Sequence, residues 1–196
     1  MKKLIVLFIV FLFLSTIFLP EIFFYKNIKK KSNNKIDENK TNYYALIAGC
    51  TDYNNSNYTL PFDPFENNDT IDIFYDSLIS GENWKKENII TLFNKNATKE
   101  NITDALLDIS EIVKEDDVFL FSWRGHGSEV KDDNSDEKDG TDEVICPYDF
   151  DNTTNITDDE LNYYFSKIKS KKMILMFESC LSGGLVGGES DIDRDN

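Results

Sequence analysis

Four apolar runs of strand length, separated by segments whose apolar residues recur at helical spacing, constrain this chain more than any other feature. The runs are "YYALIAGC" at 43–50, "ENIITLFN" at 87–94, "DDVFLFSW" at 116–123 and "KKMILMFES" at 171–179. Between the first two, residues 66–80 place Ile71, Phe74, Tyr75, Leu78 and Ile79 along one helical stripe. Residues 98–114 follow with Thr98 as a helix N-cap, and 157–168 form a third helical segment. Strands alternating with amphipathic helices require right-handed crossovers, so the pattern predicts an α/β fold: a mostly parallel sheet with helices on both faces. At 196 residues and 40% hydrophobic content the chain can bury one core, which predicts a single domain.

An open parallel sheet gathers the loops at the carboxyl ends of its strands into one crevice, where such folds bind and react. Two chemically distinctive residues follow such strand ends. His126, the one histidine of the chain, leaves the third run through "RGHG", and Cys180 leaves the fourth through "SCLSGG". Taken singly, each has an ordinary reading, as a solvated imidazole and an inert buried thiol. At matching ends of two strands, and provided those strands are neighbours, they form a nucleophile and its proton acceptor. Gly127 and the amide of Cys180 can bring bare backbone N–H groups to a developing oxyanion.

The formal charge of −15 repels phosphate backbones and anionic lipid surfaces. Nucleic acid is therefore excluded as a partner, and cationic or neutral ligands are favoured. Lys2 and Lys3 precede sixteen uncharged residues, Leu4 to Leu19, so residues 1–25 read as a signal peptide or an N-terminal membrane anchor. Residues 26–42, rich in Lys and Asn, read as a polar linker, and 43–196 as the folded domain. Membrane contact is expected through the N-terminal segment alone. The lysines at 26, 29, 30 and 31 oppose export by the positive-inside rule. Against them, eight of twenty asparagines stand in Asn-x-Ser/Thr triplets: 39, 54, 57, 68, 96, 101, 152 and 155. That excess predicts a glycosylated domain outside the cytoplasm.

"FSWRGHGSE", "DGTDEVICPYDF", "ITDDEL" and "FESCLSGG", in this order and spacing, resemble the caspase-like cysteine peptidases, most closely the metacaspases and their prokaryotic relatives. "YALIAGCTDY", "ENNDTIDIF" and "NATKENITDAL" agree with the N-terminal part of that fold, so the resemblance runs over residues 43 to 188. It implies a caspase-like α/β/α sandwich in which His126 and Cys180 form a catalytic dyad with Gly127 as an oxyanion donor. It also implies an endopeptidase cutting protein or peptide substrates after Arg or Lys, with Asp69 and Glu178 as the acidic specificity positions. No cofactor is required for that chemistry. The family's calcium ligands map to Asp142, Asp158 and Asp159, so Ca2+ activation is implied as well.

The sequence departs from the family at several points. Arg124 stands where Ser is common and can pair with Glu178 or Asp69, shifting preference away from basic residues. The family often carries Asp at the position of Glu178 and His at that of Leu181. Sixteen residues follow Cys180, whereas the family continues with a further strand and helix, so the sheet is expected to lack its C-terminal part. The acidic stretch 131–143 reads as a loop. Cys50 and Cys146 border apolar strands, as buried thiols or as a pair. A second reading from another class is a non-catalytic, anchored caspase-like binding module.

Overall fold

The computed structural model describes residues 40–60, 69–134, 137, 140–151 and 153–186; the proposed leader and all but the end of the linker lie outside them. Among the described residues no helix is long and apolar enough to cross a membrane.

Four strands, β1 (Tyr43–Gly49), β2 (Ile89–Phe93), β3 (Val118–Arg124) and β7 (Lys172–Glu178), form a parallel sheet in the order β2-β1-β3-β7. The β1 and β3 strands are central, as their composition requires: Ala45, Leu46, Phe119, Phe121 and Trp123 are all buried, most of them completely. Helix α1 (Asp69–Ile79) covers one face, packing Ile71 with Phe74, Tyr75 and Leu78 on Ala45, Ile47, Ile89 and Leu120. Helices α2 (Lys99–Ile112) and α3 (Asp158–Lys167) lie on the other, where Phe165 meets the rings of Phe119 and Phe121. Helices on both faces of a parallel sheet are what the alternating pattern predicts.

The helix starts follow their caps. Thr98 Oγ1 accepts the Asn101 N–H at 3.2 Å, and Thr157 with Glu160 forms a reciprocal capping box. Glu160 also bonds Lys99 Nζ at 2.7 Å, tying the first turns of α2 and α3 together. At the amino rim, buried Asp117 accepts from the backbone of Asn42 (2.8 Å) and Lys114 (2.9 Å), fixing the chain where it enters β1 and β3.

One region corrects the sequence reading. The stretch read as an acidic loop is bracketed by an antiparallel pair, β4 (Gly127–Lys131) and β5 (Thr141–Ile145), joined by the short β6 (Ile156–Thr157) in a second sheet. Its alternation is real but sparse: Asp142, Val144 and Ile145 turn inward while Thr141 and Glu143 stay partly exposed. The β7 strand ends the described sheet, leaving Ile174 and Met176 exposed on the same face as Leu120, the register partner of Ile174. A final short helix, α4 (Ser182–Val186), follows β7.

Candidate active site

The parallel register pairs Arg124 with Glu178, the last residues of β3 and β7. His126 and Cys180 each lie two residues beyond that pair, so both leave neighbouring strands on the same carboxyl rim. The strands are adjacent, which is the condition the sequence left open. Backbone contact closes the gap. The Gly125 N–H donates to the Glu178 carbonyl at 3.2 Å. A Cβ at Gly127 would run into the carbonyl oxygen of Cys180 and come within 3.0 Å of Ser179 Oγ. Only glycine fits there, because the chain after the histidine is pressed against the chain carrying the thiol.

The His126 main chain is held at both ends. Its N–H donates to the Tyr53 hydroxyl at 2.7 Å, and its carbonyl accepts from the Cys146 N–H at 3.1 Å and Trp123 Nε1 at 3.3 Å. Nε2 lies 2.7 Å from the Tyr58 carbonyl oxygen. A carbonyl only accepts, so Nε2 carries a proton and Nδ1 is the ring's free base. The bond from Cys146 also makes Gly127 and Ile145 a non-hydrogen-bonded pair in the β4–β5 ladder. The Gly127 N–H therefore points away from β5, available to an oxyanion. Cys180 is exposed on a sharp strand-to-helix turn, and Leu181 beside it takes the left-handed conformation at φ 59°, a strained choice for a non-glycine residue.

The other two cysteines are buried free thiols. Burial pushes each up to about 12, and neighbouring Asp52 acts in the same direction on Cys50, so both stay protonated and unreactive at neutral pH.

The specificity candidates divide. Arg124 Nε stands 3.8 Å from a Glu178 carboxylate oxygen, the ion pair anticipated from the sequence. Asp69 begins α1; its side chain lies outside the described structure. Ile71, two residues on, would touch a Cβ placed on Gly49 at 3.1 Å, so the first turn of α1 passes over the carboxyl end of β1.

The acidic candidates sit behind β5. Asp142 and Asp158 are 5% and 1% exposed, and Oδ2 of Asp158 is buried without a hydrogen-bond partner. Burial, with the charges of Asp142 and Glu143, raises the Asp158 carboxyl to about 7. Asp159 is turned elsewhere, accepting from Asn134 Nδ2 at 2.7 Å. An orphaned buried carboxylate oxygen beside a second buried carboxylate fits a hard, oxygen-seeking cation. Among the described residues no three His, Cys, Asp or Glu side chains gather as a metal cluster, so main-chain or water oxygens would have to complete the shell.

The metacaspase, peptidase C14 domain model matches residues 40–187. The chain belongs to the metacaspases. Among curated proteins it is 36% identical over 121 residues to metacaspase-1 of Plasmodium falciparum, covering 58% of this chain and 18% of that one. Metacaspase-3 of Arabidopsis thaliana is 36% identical over 88 residues, 44% of this chain and 24% of its own length. The chain thus spans about a fifth to a quarter of these metacaspases. The crystal structure of a protein from Geobacter sulfurreducens superposes with a TM-score of 0.53 at 26% identity, over 71% of this chain and 50% of the other. The family is one of cysteine peptidases, hydrolases of caspase-like fold.

Tyr53, Tyr58 and Asn94 were not legible as site residues. Asn94 Oδ1 accepts the N–H groups of Thr51 and Asp52 at 2.9 and 3.0 Å and so anchors the loop that holds the histidine.

Proposed function

We propose that this chain is a cysteine endopeptidase working through a Cys180–His126 dyad. Nδ1 of His126 takes the thiol proton as Cys180 Sγ attacks the carbonyl carbon of the scissile peptide bond. The negative oxygen forms against the N–H groups of Gly127 and Cys180. The C–N bond breaks as His126 returns its proton to the leaving amine, and a thioester remains on Cys180. Water, deprotonated by the same nitrogen, attacks that thioester and releases the acid and the thiol. The Tyr58 carbonyl shares the charge of the doubly protonated ring through Nε2–H.

The observation that supports this most is the β3–β7 register, which sets histidine and thiol equally far beyond one aligned pair of residues. A basic residue before the cut is favoured by Glu178 and Asp69, with Arg124 moderating that preference. Calcium, when bound at Asp142 and Asp158 with Asp159 nearby, would neutralise buried acid behind the β5 strand and so stiffen the sheet that carries Gly127. Export fits the placement of Asn54, Asn57 and Asn101, three acceptor asparagines that are exposed. A peptidyl-arginyl acyloxymethyl ketone tests the chemistry: mass spectrometry should find one adduct, on Cys180. An unmodified Cys180 in folded protein would favour the non-catalytic binding module.

A further inference from the structure

The loop between β1 and α1 does more for the histidine than lend it a carbonyl. Tyr53 is 4% exposed, yet its ring lies 5.1 Å from the imidazole, tilted by 36°, and its hydroxyl is the acceptor for the His126 N–H at 2.7 Å. Cys50, buried in the same loop, donates from Sγ to the Asp52 carbonyl at 3.6 Å. Gly125 leaves room for this arrangement. A Cβ there would lie 2.9 Å from the Tyr53 hydroxyl, the Cys50 carbonyl and the Trp123 ring alike.

We propose that Tyr53 is a positioning residue of the dyad: its buried hydroxyl fixes the His126 main chain while its ring bears on the imidazole, keeping Nε2 on the Tyr58 carbonyl and Nδ1 toward Cys180. This rests on the dyad reading above and deepens it. Tyr53 touches neither substrate nor thiol, and it does not titrate. Burial raises its pKa, so the phenol keeps its proton while its oxygen accepts from the His126 N–H. Its loop is itself anchored: Asn94 holds Thr51 and Asp52, and the Asn54 N–H donates to the Tyr148 carbonyl at 3.1 Å. The segment therefore grips the histidine twice, through Tyr53 and through Tyr58, from a base fixed to the ends of β2 and β5. Loss of the hydroxyl leaves the His126 N–H without its partner and the ring with one constraint fewer.

A single histidine makes the test direct, because protein labelled with 15N-histidine shows one backbone amide and one imidazole. Wild type should show the Nε2–H tautomer and a slowly exchanging amide. Tyr53→Phe, which keeps the ring and removes one oxygen, should shift that amide, mix the tautomers and lower kcat about 10- to 100-fold with KM within about twofold. Unchanged ring signals and kcat in a folded Tyr53→Phe protein would overturn the proposal, even if its melting temperature fell. If that variant does not fold, exchange of the wild-type His126 amide decides, since fast exchange contradicts the bond to Tyr53. The ring readout needs no turnover, so it separates the two failures: an inactive wild type with the Nε2–H tautomer intact would sink the peptidase reading and leave only the hold of Tyr53 on the histidine.

Discussion

Arg124 and Glu178 are register partners at the ends of two parallel strands, and each stands two residues before a group of the proposed dyad. Their ion pair, 3.8 Å from Nε to carboxylate, lies at the carboxyl rim of the sheet with Glu178 71% and Arg124 21% exposed. On the proposed preference for basic residues, a substrate guanidinium would compete with a resident one. Replacing Arg124 with Ser should raise kcat/KM for arginyl peptides about tenfold and leave neutral peptides unaffected. Glu178→Gln should lower it for arginyl peptides. Paired fluorogenic assays measure both, and an unchanged ratio in the Arg124 variant would remove the pair from specificity.

Gly127 makes the closest approach between the two halves of the site. Adding one methyl group forces it into the Cys180 carbonyl, so Gly127→Ala should destabilise the fold by about 1–3 kcal/mol. It should also cost more than about 100-fold in kcat/KM, because the proposed oxyanion donor and nucleophile are pushed apart. Urea unfolding and steady-state kinetics separate the two effects.

Three cysteines give a sharp reactivity contrast. Cys50 and Cys146, held near 12, stay thiols at neutral pH, while Cys180 is exposed and, on the proposed dyad, faces His126. Iodoacetamide at about pH 7 should modify one thiol rapidly in native protein, none rapidly in Cys180→Ala, and three after denaturation.

The raised carboxyl of Asp158 gives the proposed calcium site a pH signature. Its folded value of about 7 exceeds the ordinary 3.8, so between these values the folded chain holds a proton that the unfolded chain releases. Stability contributed by this group is present below 3.8 and is lost as pH rises through 7. If calcium takes the place of that proton, as proposed, it should raise the melting temperature more at about pH 8 than at about pH 6. Asp158→Asn should raise metal-free stability at the higher pH and abolish the calcium response in thermal-shift measurements.

Much of this architecture is written locally. The apolar runs at 43–50 and 116–123 became the two buried central strands, and Thr98 and Thr157 begin their helices through bonds that sequence spacing specifies. His126 and Cys180 stood out because each follows an apolar strand. The antiparallel pair β4–β5 escaped because Glu129, Lys131, Asp142 and Glu143 hide its alternation behind charge. Tyr53 and Tyr58 escaped for another reason. They reach the histidine across 73 and 68 residues, through one hydroxyl and one carbonyl, and no periodicity encodes such contacts.

The central claim, that the thiol at 180 and the imidazole at 126 act as one unit, is tested most directly by hydrolysis of an arginyl fluorogenic peptide by wild type, Cys180→Ala, His126→Ala and the double variant. Each single change should remove at least about a thousandfold of the rate, and combining them should cost no more than either alone. Wild-type activity retained in Cys180→Ala or in His126→Ala would contradict it.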